Sequence, residues 1–96
     1  MRVRYTLRAR DDLDAIYIYL DQRSPAGAQS VKHAIERRIG QLGDPPFIAP
    51  VTDEPGVREL AIVRYPYKVY YRIDMEEIQI VHVRHSARRR PETTEL

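Results

Sequence analysis

The dipeptide Ser24-Pro25 falls in the middle of the longest helical pattern in this chain, and one continuous helix cannot accommodate it. Proline inside a helix removes a backbone donor and clashes with the preceding turn, at about 3 kcal/mol or more. At the first position of a new helix it is harmless, and a serine before it can cap the free N–H groups. The pattern therefore predicts two helices. The first covers about 7–22, with Ala9, Leu13, Ile16 and Leu20 at helical spacing. Asp11, Asp12 and Asp14 are placed toward the positive end of its dipole. The second starts at Pro25 and carries Ala28, Val31, Ile35, Ile39 and Leu42 on one stripe, with Lys32, Glu36 and Arg37 off it. Gly43 is placed to end it, and Pro45-Pro46 forbid its continuation. Two helices of similar length joined by a tight turn make an antiparallel hairpin, whose apolar side another layer must cover.

Strand-like runs supply that layer. Val3 and Tyr5 alternate with Arg2, Arg4 and Thr6, which predicts a short first strand. A loop rich in Pro and Asp follows the helices over 44–56, with a short extended piece at 47–48. Three more runs come next: 57–63, broken by Tyr65-Pro66; 67–74, dense in Val, Ile and Tyr; and 77–85, set off by a turn at 74–77. The last run, EIQIVHVRH, is apolar on both faces, which predicts a central strand buried on two sides. The first strand is expected to pair inside the sheet, because a lone strand leaves its backbone groups unsatisfied. The order β-α-α-β-β-β predicts an α+β fold, a helical hairpin packed on a small, curved, mostly antiparallel sheet. One domain is expected over residues 1–90, with a polar tail over 91–96.

With 96 residues and 43% hydrophobic content the chain suits a single globular unit. It has no cysteine, so disulfides and thiolate zinc sites are excluded and a reducing cytoplasm is the expected setting. No signal-like or membrane-spanning apolar run is present, so neither secretion nor a membrane is expected. Net charge is only +2, yet Arg2, Arg4, Arg8 and Arg10 crowd one end and Arg84, Arg88, Arg89 and Arg90 the other. Of the 16 cations only Lys32 and Lys68 are not Arg. Guanidinium forks grip phosphate and carboxylate in pairs, which favours an anionic partner such as nucleic acid or an acidic peptide. An arginine-rich genome produces the same bias.

Alternation along 67–74 puts Lys68, Tyr70 and Arg72 on one face and Tyr67, Val69, Tyr71 and Ile73 on the other. The second set reads as core. The first reads as an exposed cationic and aromatic strip, or as an ordinary solvated sheet face. His82 and His85 are three apart on a strand and point to opposite faces, which is wrong for a metal pair. Four glycines make no phosphate loop, and Ser24 and Ser30 lie on the helices, away from His82 and His85. Neither a metal nor a cofactor is expected. Tyr17 and Tyr19 on the first helix pack or face a partner.

The stretch V57-R-E-L-A-I-V-R-Y-P-Y-K-V-Y-Y-R-I-D74, the ending I80-V-H-V-R-H-S-A-R-R89, Ser24-Pro25 and the loop Asp44-Pro45-Pro46 together resemble the RelE/ParE toxin superfamily, over roughly residues 5–90. That resemblance implies the toxin of a type II toxin–antitoxin module, also called a plasmid stabilisation protein. Such a toxin arrests bacterial growth and is neutralised by a cognate antitoxin. Members of the superfamily act in two ways: RelE-like ones are ribosome-dependent mRNA endoribonucleases (mRNA interferases), and ParE-like ones poison DNA gyrase without chemistry of their own.

For the nuclease reading, His85 falls where RNA-cleaving members place a catalytic histidine, and an imidazole is a side chain suited to proton transfer. Lys68 falls where they hold phosphate with an Arg. Glu59 is a candidate base, unless it only pairs with Arg58 or Arg72. His85 also reads as an ordinary edge histidine. Arg64, Tyr70, Arg72, Arg84, Arg88 and Arg89 make up the candidate nucleic-acid or target-binding set, although the terminal arginines also suit a soluble tail. The chain departs from the nucleases after the last strand, where Ser86 follows His85 and no tyrosine comes later. This incomplete set tilts the expectation toward ParE-like gyrase poisoning, with the endoribonuclease as alternative and a non-toxic binding module of the same fold as a third class. The antitoxin is expected to lay an amphipathic helix or extended tail across the helical hairpin or sheet edge, covering basic residues with its own acids.

Overall fold

The computed structural model describes residues 2–43 and 49–86. In chain order these form β1 (Arg2–Tyr5), α1 (Leu7–Arg23), α2 (Pro25–Gly40), a 3-10 turn (Gln41–Gly43), β2 (Val57–Ala61), β3 (Tyr67–Asp74) and β4 (Glu77–His85). The α+β class and the element order agree with the sequence. The expected extended piece at 47–48, the tail over 91–96, and Arg88 and Arg89 lie outside the described residues.

Single side chains fix both helix starts. Thr6 Oγ1 accepts from the Ala9 N–H at 3.2 Å, and Ser24 Oγ accepts from the Gly27 N–H at 3.0 Å. Ser24 also closes α1, since its own N–H donates to Leu20 O at 2.8 Å. One residue thus ends one helix and begins the next. The first turn of α1 holds no acid, so the dipole reading of Asp11, Asp12 and Asp14 fails; the three lie beyond that turn. The α-helical part of α2 stops at Gly40, and the 3-10 turn carries the apolar stripe on to Leu42, which is fully buried.

The sheet has the order β1-β4-β3-β2. β2–β3 and β3–β4 are antiparallel, and β1 runs parallel to β4. β1 pairs with the sheet as expected, but at its edge rather than in its interior. It pairs only from Arg2↔Glu77 to Tyr5↔Ile80, so beyond Ile80 it leaves that side of β4 uncovered.

β4 is central, but its two-faced apolar pattern has a different cause from burial on both sides. The register passes from Tyr70↔His82 to Tyr71↔Ile80 and leaves Val81 without a partner. The bulge shifts the alternation by one, so Ile78 and Ile80 before it and Val83 after it all join one core. That core also holds Val31, Ile35, Ile39 and Leu42 from the α2 side and Leu60, Val69 and Tyr71 from the sheet. α1 sits more shallowly: Ala9 is buried, whereas Leu13, Ile16 and Leu20 are half-buried. No described helix is long and apolar enough to cross a membrane.

Candidate functional site

The register separates the side chains flagged in the sequence. Lys68 pairs with Arg84 and Tyr70 with His82 on the sheet face opposite the core residues Val69 and Tyr71, while His85 pairs with Tyr67 on the core-facing side. The His85 ring stands edge-on to Tyr67, with centroids 5.2 Å apart. His85 therefore does not share a face with Lys68 and Glu59.

The outer face is not an open cationic strip. Tyr70 is buried at 5% exposure, and its hydroxyl joins two charges: it donates to Glu59 Oε2 at 2.8 Å and accepts from Arg84 Nε at 2.9 Å. Lys68 Nζ lies 3.3 Å from the same Glu59 oxygen. Glu59 thus pairs with Lys68, rather than with Arg58 or Arg72. His82 stacks on the Tyr70 ring, with centroids 5.4 Å apart. Arg72 lies 3.7 Å from Glu54, both well exposed, which is worth little in water. Arg4 meets Glu77 at 3.3 Å. Most of these cations face the protein's own acids.

Burial raises the pKa of Glu59, but hydrogen bonds from Tyr70 and Lys68 and the charges of Lys68 and Arg84 outweigh it, and the net shift is downward. Burial first, then the Glu59 hydrogen bond, raises that of Tyr70. A carboxyl whose folded pKa is depressed stabilises the fold above its unfolded value, and that contribution is lost as pH falls through the folded value. Glu59→Gln is therefore expected to flatten the acid limb of the stability profile below the ordinary 4.5. Urea melts across that interval check it, and an unchanged slope would show that the pair does not stabilise the fold.

The uncovered side of β4 is closed by α1. Asp12 Oδ2 accepts the Val83 N–H at 3.0 Å and lies 2.7 Å from His82 Nδ1. Thr6 supplies both its N–H, to Ile80 O at 3.0 Å, and its hydroxyl, to Val81 O at 3.4 Å. Arg8 Nη2 lies 3.5 Å from His82 Nε2. Sequence reasoning missed Asp12 and Arg8, because nothing local signals a contact 70 residues away.

Beside this edge runs a groove of about 910 Å³. Ile16, Tyr19 and Leu20 of α1, Val31 of α2, and Tyr65 and Tyr67 form its apolar lining. Asp12, Arg23, His82, Arg84 and His85 also border it. Tyr19 is 49% exposed and carries the Arg23 guanidinium 4.4 Å from its ring centroid. Arg64, at the β2–β3 turn, is exposed and holds a positive φ of 79°.

Comparisons with known proteins accord with this architecture. The family model described as "ParE toxin of type II toxin-antitoxin system, parDE" matches residues 3–90. A curated relative from Sinorhizobium fredii, named "Putative toxin Y4kP", is 34% identical over 95 residues, covering 95% of this chain and 94% of its own. A solved structure titled "Chromosomal ParDE TA system from P. aeruginosa" superposes with a TM-score of 0.77 at 30% identity, covering 88% of this chain and 95% of that one.

Proposed function

From the premise that this chain belongs to the ParE toxin family of type II toxin–antitoxin systems, we propose that it arrests growth by binding and poisoning DNA gyrase, with no bond-making step of its own. The observation that carries this reading is the division of the flagged residues between two faces. Glu59, Lys68, Tyr70 and Arg84 are engaged with one another, and His85 stands on the far side of the sheet against Tyr67. A general acid–base pair must reach one scissile phosphate together, and this separation opposes it.

Inducible expression with and without the adjacent open reading frame tests the proposal. Growth arrest with gyrase-dependent DNA breaks is expected, and His85→Ala and Lys68→Ala should each leave the arrest intact. Codon-positioned mRNA cuts lost in either variant would replace this reading with the endoribonuclease. Harmless expression would leave only a binding module.

The same reading includes a cognate antitoxin, and the groove beside α1 suits it. An amphipathic segment can cover Tyr19, Leu20 and Val31 with its apolar side while its acids meet Arg23 and Arg84. Aromatic anchors in such grooves commonly carry about 2 kcal/mol or more. Tyr19→Ala is therefore expected to weaken the complex roughly 30-fold, measured by calorimetry on the purified pair. An unchanged affinity would put the antitoxin elsewhere.

A further inference from the structure

A second concavity, of about 600 Å³, lies between α2 and the β2–β3 turn. His33 and Arg37 line it from one ridge of α2, four residues apart and hence neighbours on the helix surface. Arg38 joins them, and Arg64 and Tyr65 come from the turn. No Asp or Glu is among the described residues that line it. None of its three arginines makes an ion pair among the described residues. The contrast with the sheet face is sharp, since Arg4, Lys68 and Arg72 each have a carboxylate within 4.0 Å there.

Two further details set this groove apart. Arg38 Nη1 donates to Gln41 Oε1 at 3.1 Å, but its Nε is buried with no acceptor among the described residues, so a donor remains unmet. Arg64 adopts a left-handed backbone that disfavours a non-glycine residue. The turn is held by Ile62 N–H to Tyr67 O at 3.0 Å and Tyr67 N–H to Tyr65 O at 2.8 Å. A helix dipole accounts for Arg37 and Arg38 in the last turn of α2. It does not account for His33, for Arg64 on a separate element, or for the lack of acids.

We propose that this groove binds the phosphodiester backbone of duplex DNA. Guanidinium forks match phosphate oxygens. His33, Arg37 and Arg64 are exposed along an open wall, which suits successive charges of a polymer better than one enclosed anion. The choice of DNA as the polyanion rests on the gyrase reading, because a poison of that enzyme works beside duplex DNA.

The test is fluorescence anisotropy of the full chain with a short random-sequence duplex over a salt series, in the absence of gyrase. Log affinity should fall linearly with log salt, and each phosphate contact contributes about 0.9 to the slope. Replacing both Arg37 and Arg64 by Ala should lower the slope by about 1.8 and the low-salt affinity roughly tenfold or more. Arg64→Gly fits the left-handed backbone, so it tests the groove without a risk to folding, and it should lower the slope by about 0.9. Arg4→Ala, on the sheet face, should leave binding unchanged. Wild-type slope and affinity in both groove variants would overturn the proposal. So would poly-glutamate displacing the duplex at equal charge, which would make the ligand an acidic protein. If the groove variants lose binding while no gyrase-dependent breaks occur in cells, the DNA site stands and the gyrase reading falls.

Discussion

Tyr71→Ala is expected to lower the unfolding free energy by about 3–5 kcal/mol, the range for deleting a buried aromatic ring. Tyr71 sits mid-strand in β3 between Arg58 of β2 and Ile80 of β4, with no exposure to solvent. Its ring is among the largest fully buried side chains, and a chain of 96 residues has a thin core with little capacity to close the gap. At roughly 4–8 °C per kcal/mol for a domain of this size, the melting temperature should drop by at least about 12 °C.

The hydroxyl of Tyr71 has a separate role. It is hydrogen-bonded to the Ala49 backbone, and Arg58 Nη1 donates to Ala49 O at 2.6 Å. The two side chains tie the segment after the helices to the sheet. Burial raises the Tyr71 pKa, against the lowering effect of the Ala49 hydrogen bond and of Arg58 and Arg38. Tyr71→Phe keeps the ring and loses only the bond, so about 1 kcal/mol is expected. Thermal and urea melts of the pair distinguish the two contributions. Equal losses in both variants would mean that the tether, rather than the packing, dominates.

The elements most easily read from the sequence are those whose signals are local. Ser24-Pro25 marks a helix boundary because capping and the missing proline N–H act within one turn, and the structure puts the boundary there. Tyr67–Asp74 and Glu77–His85 appear as read, since dense β-branched and aromatic residues flank a turn. The run expected over 57–63 ends two residues early, at Ala61, because the tight turn through Arg64 takes the remainder. What depends on long-range register was not legible. The bulge at Val81 imitates a strand buried on both faces, since one inserted residue exchanges the two sides of the alternation. β1 lies parallel to β4 at an edge, although its sequence gives only a period of two.

The candidate site was legible as a list of residue types and not as an arrangement. Alternation along β3 correctly separates Lys68, Tyr70 and Arg72 from the core set. It does not reveal that Glu59 from the neighbouring strand neutralises Lys68, or that Tyr70 is buried beneath Arg84 and His82. Charge counting found the arginine excess but concentrated on the chain ends. The groove that has no acid among its described lining residues is formed by Arg37, Arg38 and Arg64, which the packing of α2 beside the β2–β3 turn brings together.

Asp12→Ala is expected to destabilise the chain by about 2–3 kcal/mol, although Asp12 belongs to an aspartate-rich stretch that looks like a solvated helix face. The strand β1 is four residues long and stops pairing at Ile80, so the next part of β4 has exposed edge groups. Val83 is buried at 2% exposure, and among the described residues its N–H donates to the Asp12 carboxylate. Removing the carboxylate leaves a buried donor unmet, at about 1–3 kcal/mol, and takes away a charge-assisted bond as well. The same substitution frees His82 from its anchor at Nδ1 and loosens α1 from the sheet next to the groove. Asp12→Asn keeps an acceptor for Val83 and should cost about half as much. Hydrogen exchange gives the local readout: the Val83 amide should lose protection in Asp12→Ala while the Val69 amide, inside the β2–β3–β4 core, keeps more of its own. An Asp12→Ala variant within about 0.5 kcal/mol of wild type, with Val83 still protected, would mean that water or another group covers the edge and that α1 is held by its apolar contacts alone.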